Sequence, residues 1–298
     1  MKTALCALIF AACFLPLRLC AQAWTLPEGG YEINLDLSRI DTKQEFNAMG
    51  MHESLYSLYP SFTQGEYVST KVSLYAAYGV SDNFTLIGAA SYINSVSTYI
   101  SNDTNFNQFP NSGFGDIYLA GRLAILNGPV ALAAQAGWKL PVADTGGPVA
   151  VALGDGQMDF DASVAAGYQI PIPGVPNHIQ SKWGFLFRGG SFADAIIYKE
   201  SLDAMLFQSA IGFRAVFDGQ IAQGPVPIPD TTLPNTGFGI RTNITFSRLA
   251  LGLIIPIRKK TDINIDWTTV TNGRGVFAGN TFSIGIAFHR EQDSPLAP

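Results

Sequence analysis

Cysteine is nearly missing from this chain: Cys6, Cys13 and Cys20 are the only three, and all lie near the start. Nothing downstream can form a disulfide, a thiol nucleophile or a thiolate metal site. Long apolar runs are missing too. After residue 23 no segment approaches the ~18 consecutive apolar residues of a membrane helix. Charge is sparse at 14% and leans acidic, with 18 basic against 23 acidic residues, so no basic footprint for nucleic acid exists. Histidine is limited to His52, His178 and His289. No HExxH or GxSxG motif is present, and the chain offers no recognisable catalytic constellation. The run GDGQMDFD at 154–161 looks like a calcium loop but lacks the closing glutamate, and alternation assigns Asp159 and Asp161 to a strand. Neither a cofactor nor a metal site is expected.

What is there begins with MKTALCALIFAACFLPLRLCAQAW. Lys2 is a short basic region, residues 4–17 are apolar, and Ala21-Gln22-Ala23 is a small-x-small cleavage site. This pattern predicts a signal peptide over 1–23 and a mature chain from Trp24. Arg18 closes the apolar run too early for a spanning helix. Lipidation at Cys20 is the alternative, against which Leu17-Arg18-Leu19 stands where small residues are wanted.

From there the dominant period is two, not 3.6. In 66–80, Val68, Val72, Leu74, Ala76, Tyr78 and Val80 oppose Ser69, Lys71, Ser73 and Tyr75. The same alternation recurs in 114–126, 129–140, 157–170, 179–190 and 282–289. The strands exceed the five or six residues usual in soluble sheets and suit a tilted bilayer crossing. Aromatics gather towards strand ends on the apolar face (Tyr31, Tyr78, Phe84, Tyr92, Trp138, Tyr168, Trp183, Phe288), as an interfacial girdle requires. Connections alternate between short (80–83, 126–129, 171–178, 258–261) and long (41–64, 97–112, 141–156, 219–236). Bacterial barrels have that asymmetry, with the short turns in the periplasm. Two segments change phase midway. We place a tight turn near 205–207 and a bulge near Ser247-Arg248, since a phase slip means a turn or a bulge. The expectation is an all-β chain: a transmembrane antiparallel up-and-down β-barrel over 24–290 with about 12 strands, ten being the alternative count, and a tail at 291–298.

Charge on a lipid-facing position costs a few kcal/mol near mid-bilayer, so the polar face must line the lumen. Its candidate pore-lining residues are the cations Lys71, Arg122, Lys139, Lys182, Arg188, Arg214 and Arg241 and the acids Asp116, Asp159, Asp161 and Asp266. Glu32, Asp36, Asp203 and Lys199 share that face. These charges either pair across the wall and stiffen it, or line a polar path that selects solutes.

The runs SGFGDIYLAGRLAIL (112–126), GWKLPVAD (137–144), LGDGQMDFDASVAAGYQI (153–170) and WGFLFRGG (183–190) resemble the outer-membrane proteins associated with meta-pathway phenol-degradation operons. The opening AWTLPEGGYEINLDLS is similar to the start of their mature chains. The resemblance implies an outer-membrane channel for aromatic compounds and supplies no catalytic residues. Expected partners are outer-membrane lipid and a small solute, and the oligomeric state is not legible. The leading functional expectation is passive passage of small, hydrophobic or aromatic solutes. A structural or surface-interaction barrel with a closed lumen is the rival, and a rim-located enzyme the third.

Overall fold

The computed structural model describes residues 23–57, 62–101, 104–146, 150–172, 175–190, 192–206, 211–225, 243–258 and 260–290. Residues 1–22 of the expected signal peptide, with all three cysteines, lie outside these, as do Arg241, residue 207 of the turn expected near 205–207, and the tail 291–298.

Sixteen strands are described: β1 (Tyr31–Thr42), β2 (Gln44–Phe46), β3 (His52–Ser54), β4 (Phe62–Ser81), β5 (Phe84–Ser101), β6 (Asn105–Phe114), β7 (Ile117–Leu126), β8 (Val130–Leu140), β9 (Asp159–Ile172), β10 (Val175–Arg188), β11 (Ala195–Leu206), β12 (Ile211–Ala222), β13 (Thr245–Arg258), β14 (Thr261–Arg274), β15 (Val276–Ala278) and β16 (Asn280–Arg290). Each long strand pairs antiparallel with the next, and β1 pairs with both β4 and β16, which closes the sheet on itself. Closure leaves the wall without a free edge except along β6, which pairs with β5 alone among the described strands. β6 and β7 are two halves of one wall strand, both paired with β5. Counted that way the wall has the expected twelve strands, while β2, β3 and β15 form a small separate sheet over the long-connection end.

Register confirms the two faces. Leu35 lies opposite Leu74 and Ile286, and all three belong to the outward set. Leu35, Leu74, Leu119, Val164, Ile179 and Ile284 are among the exposed apolar side chains of a continuous outer band. The slip near Ser247-Arg248 is present: the β13–β14 register shifts between those two residues, so that Ser247 meets Asn272 and Arg248 meets Val270. An extra residue opposite the slip restores the pleat without a new strand.

Three expectations need correction. The long connection at 97–112 is mostly paired strand: β5 runs to Ser101 and β6 from Asn105. Pro110 is accommodated because β6 ladders only with β5, leaving a strand edge where a missing N–H costs nothing. Asp116 does not sit within a continuous strand but at the break between β6 and β7. The connection at 171–178 shrinks to residues 173–174, since Pro171 and Pro176 pair with each other at the strand ends. His178 therefore belongs to the barrel wall, buried and facing inward, not to a periplasmic turn.

Candidate functional site

On one side the lumen holds a buried segment of the chain, set among many polar side chains. At the short-turn end the chain does not enter β1 directly. Trp24–Gly30, preceded by Ala23 at the end of the expected signal peptide, first runs up inside the barrel. Ala23 is fully buried against Ala131 and Ala165, and its N–H donates to Gln180 Oε1 at 3.1 Å. Trp24 Nε1 donates to Gly128 O at 2.8 Å, and its ring meets His178 edge-on at 5.8 Å. Thr25 Oγ1 donates to Asp82 O at 2.6 Å, and Thr85 Oγ1 accepts from Leu26 N at 2.8 Å. Two inward positions must be glycine for this segment to fit. A Cβ on Gly79 would strike the Pro27 carbonyl, and one on Gly167 would strike the Trp24 ring.

Arg122 holds this segment in place. From β7 its Nε and Nη2 donate to Gln135 Oε1 at 3.2 and 3.1 Å, and Nη1 donates to Trp24 O at 3.1 Å. Gln135 in turn donates to Tyr118 OH at 3.1 Å, and Tyr118 donates to Asp161 Oδ2 at 2.7 Å. We expect Arg122→Gln to cost about 1.5–3 kcal/mol, the usual value of hydrogen bonds to a charged group. Thermal unfolding in detergent should show that loss, and limited proteolysis should cut near Trp24 sooner. An unchanged melting temperature with an unchanged digest would mean that something else anchors the segment.

At the long-connection end, Lys139 and Arg188 face three carboxylates. Lys139 Nζ lies 2.7 Å from Asp159, 2.5 Å from Asp155 and 3.6 Å from Asp116. Arg188 bonds Asp155 and approaches Asp159 Oδ1 at 3.5 Å. Asp155 sits in the connection before β9 and was not foreseen. Burial pushes its carboxyl up, but the Lys139 ammonium, the Gln157 N–H and Arg188 outweigh that and hold it below the usual carboxylate range. At the same end an aromatic cluster forms a lid over β4, β5 and β6. Leu55, Tyr56, Tyr99, Phe109 and Val151 form a buried cluster, Phe62 stacks on Tyr99 at 4.1 Å, and Tyr67 stacks on Phe277 of β15 at 4.1 Å.

The opposite wall carries further ion pairs. Arg214 pairs with Asp203 at 2.6 Å, with His178 3.6 Å from the same carboxylate; Arg248 pairs with Asp218 at 2.7 Å; His289 lies 3.6 Å from Asp262. Asp266 faces inward on β14, in register with Gly252. Lys71, Lys182 and Lys199 face the lumen in no ion pair with the described residues. Lys71 and Arg248 point into the closed barrel and are nonetheless exposed to solvent.

A charge also stands on the outer face among the described residues of β11. Glu200 lies on the outer surface of β11, where Ser181 Oγ donates to it at 2.8 Å and Trp183 Nε1 at 3.0 Å. Those two donors lower the cost of holding a carboxyl there.

No protein-family model matches the sequence, and no curated protein does. Solved structures do resemble the fold. The COG4313 outer membrane channel from Pseudomonas putida F1 is 12% identical, with a TM-score of 0.67 over 92% of this chain and 100% of that one. The translocator domain of the autotransporter NalP from Neisseria meningitidis is 10% identical, with a TM-score of 0.45 over 96% of this chain and 95% of that one. Closed twelve-stranded wall, apolar outer band and structural likeness together identify the chain as an outer-membrane β-barrel.

Proposed function

We propose that the barrel is a channel for passive passage of small solutes across the outer membrane. The observation that carries this reading is the exposure of Lys71 and Arg248 inside a closed wall. A packed lumen would bury them, as it buries Asp161 and Arg122 on the other side. The path runs beside β1, β4 and β10–β14, past Lys71, Lys182, Lys199, Arg214 and Asp266. Arg122 and Asp161 brace the filled half, while Lys139, Arg188, Asp116 and Asp159 tie the outer end together. The similar solved barrel is itself called an outer membrane channel. That the solutes are hydrophobic or aromatic, and that the chain serves phenol breakdown, is supported by the resemblance of its glycine-rich strand segments and by the aromatic lid.

A closed structural barrel is the second reading, favoured by the lid at one end and the Trp24–Gly30 segment at the other. Planar-bilayer recordings of the refolded protein with a panel of neutral and charged aromatics separate the two. Discrete conductance steps modulated by those solutes are expected. A folded, inserted barrel that never conducts would leave the structural reading standing.

A further inference from the structure

Barrel interiors are largely polar, and apolar rows inside this one stand out where they adjoin charge. On the inner faces of β10 and β11 the register sets Leu186 opposite Ala195, Gly184 opposite Ile197, and then Lys182 opposite Lys199. Two apolar rows thus stand directly over a doubly cationic one. Rows on one face are two residues apart, about 7 Å, so the apolar strip is the length of a small ring or short chain.

The lysine pair has a cost that the protein offsets only in part, through Asp218 opposite Lys199 in the β11–β12 register. Like charges directly opposite each other on neighbouring strands destabilise the sheet. The carboxylates near them are engaged elsewhere: Asp161 by Tyr118, Asp203 by Arg214 and Asp218 by Arg248. Neither ammonium has a salt-bridge partner among the described residues. Both are only partly shielded, so solvent in the lumen reaches them.

We infer that this strip is a binding station for small amphipathic carboxylates, with Lys182 and Lys199 sharing the anionic group and Ile197 and Leu186 receiving the apolar body. The inference rests on the channel reading and narrows its solutes to organic acids with an apolar part. Two ammonium groups bind one carboxylate by charge-assisted hydrogen bonds. The carboxylate also relieves the repulsion between them, while the apolar rows reject well-hydrated anions that have no body to bury.

The test uses the full barrel in detergent, with benzoate, acetate and benzyl alcohol as probes. Thermal unfolding and calorimetry measure binding, and bilayer recordings measure conduction separately. Benzoate should raise the melting temperature and bind about tenfold more tightly than acetate or benzyl alcohol, since each lacks one half of the recognition. The Lys182→Gln/Lys199→Gln double variant should lose that preference. It should also melt no lower than the parent without ligand, because a repulsion has been removed. Ile197→Asn should lose the preference for benzoate over acetate while keeping anion binding. A conducting barrel whose benzoate affinity matches acetate, or survives the double substitution, overturns the station and leaves the channel intact. A barrel that binds benzoate through the two lysines and never conducts sustains the station and overturns the channel.

Discussion

Asp203→Asn is expected to destabilise the barrel by about 3 kcal/mol, the lower end of what removing one partner of a buried pair costs. Asp203 is only 1% exposed and accepts from Arg214 Nε at 2.6 Å, with His178 at 3.6 Å from its other oxygen. Asparagine keeps the shape and removes the charge. Arg214 then loses the charge of that carboxylate, while Asp262 and Asp266 still act on it. The loss falls at the low end because the Arg214 side chain is 20% exposed and lumenal water solvates part of it. Urea titration of the refolded protein measures the effect. An Arg214→Met partner variant completes a double-mutant cycle, in which the pair should lose less than the sum of the singles. A single-variant loss below about 1 kcal/mol would mean that the lumen is wet enough to make this an ordinary surface pair.

The wall was legible because lipid and lumen impose opposite demands on neighbouring residues. Each inward charge on a regular strand, from Lys71 to Asp266, could be read from its parity alone. The phase slip at Ser247-Arg248 was legible for the same reason: a change of parity has few physical causes. What escaped was whatever has no period. Trp24-Thr25-Leu26 carries no alternation, and its place in the lumen is written only as two missing side chains, Gly79 and Gly167, in otherwise regular strands. Pro171 and Pro176 read as turn residues, yet strand ends tolerate proline, so His178 was set outside the wall it belongs to. Asp155 looked like one acid in a long loop, because nothing local signals that it folds back onto Lys139 and Arg188. The apolar rows above Lys182 and Lys199 needed register between strands, since parity places each residue on a face but not beside its neighbour.

The sharpest test of that inside–outside reading compares two adjacent residues of β4. Leu74 lies on the outer face, 46% exposed, opposite Leu35 and Ala90. It stands four residues, about 13 Å along the strand, from Tyr78, an outward aromatic near the short-turn end. With the strand tilted, that places Leu74 near the middle of an apolar band about 25 Å tall. Leu74→Arg puts a guanidinium against lipid tails and should cost about 2–4 kcal/mol, the depth-dependent value for arginine at the midplane. Its neighbour Ser73 faces the lumen, opposite Asp36 of β1. Ser73→Arg gives that carboxylate a partner on a part-exposed inner face and should change stability by less than about 1 kcal/mol, as an exposed ion pair does. Folding titrations into lipid vesicles, with heat-modifiability on gels as the readout of insertion, compare the two directly. Leu74→Arg should reduce the folded fraction at denaturant concentrations where Ser73→Arg matches the parent. Equal losses, or a greater loss at Ser73, would reverse the faces of β4 and with them the assignment of Lys71 to the lumen.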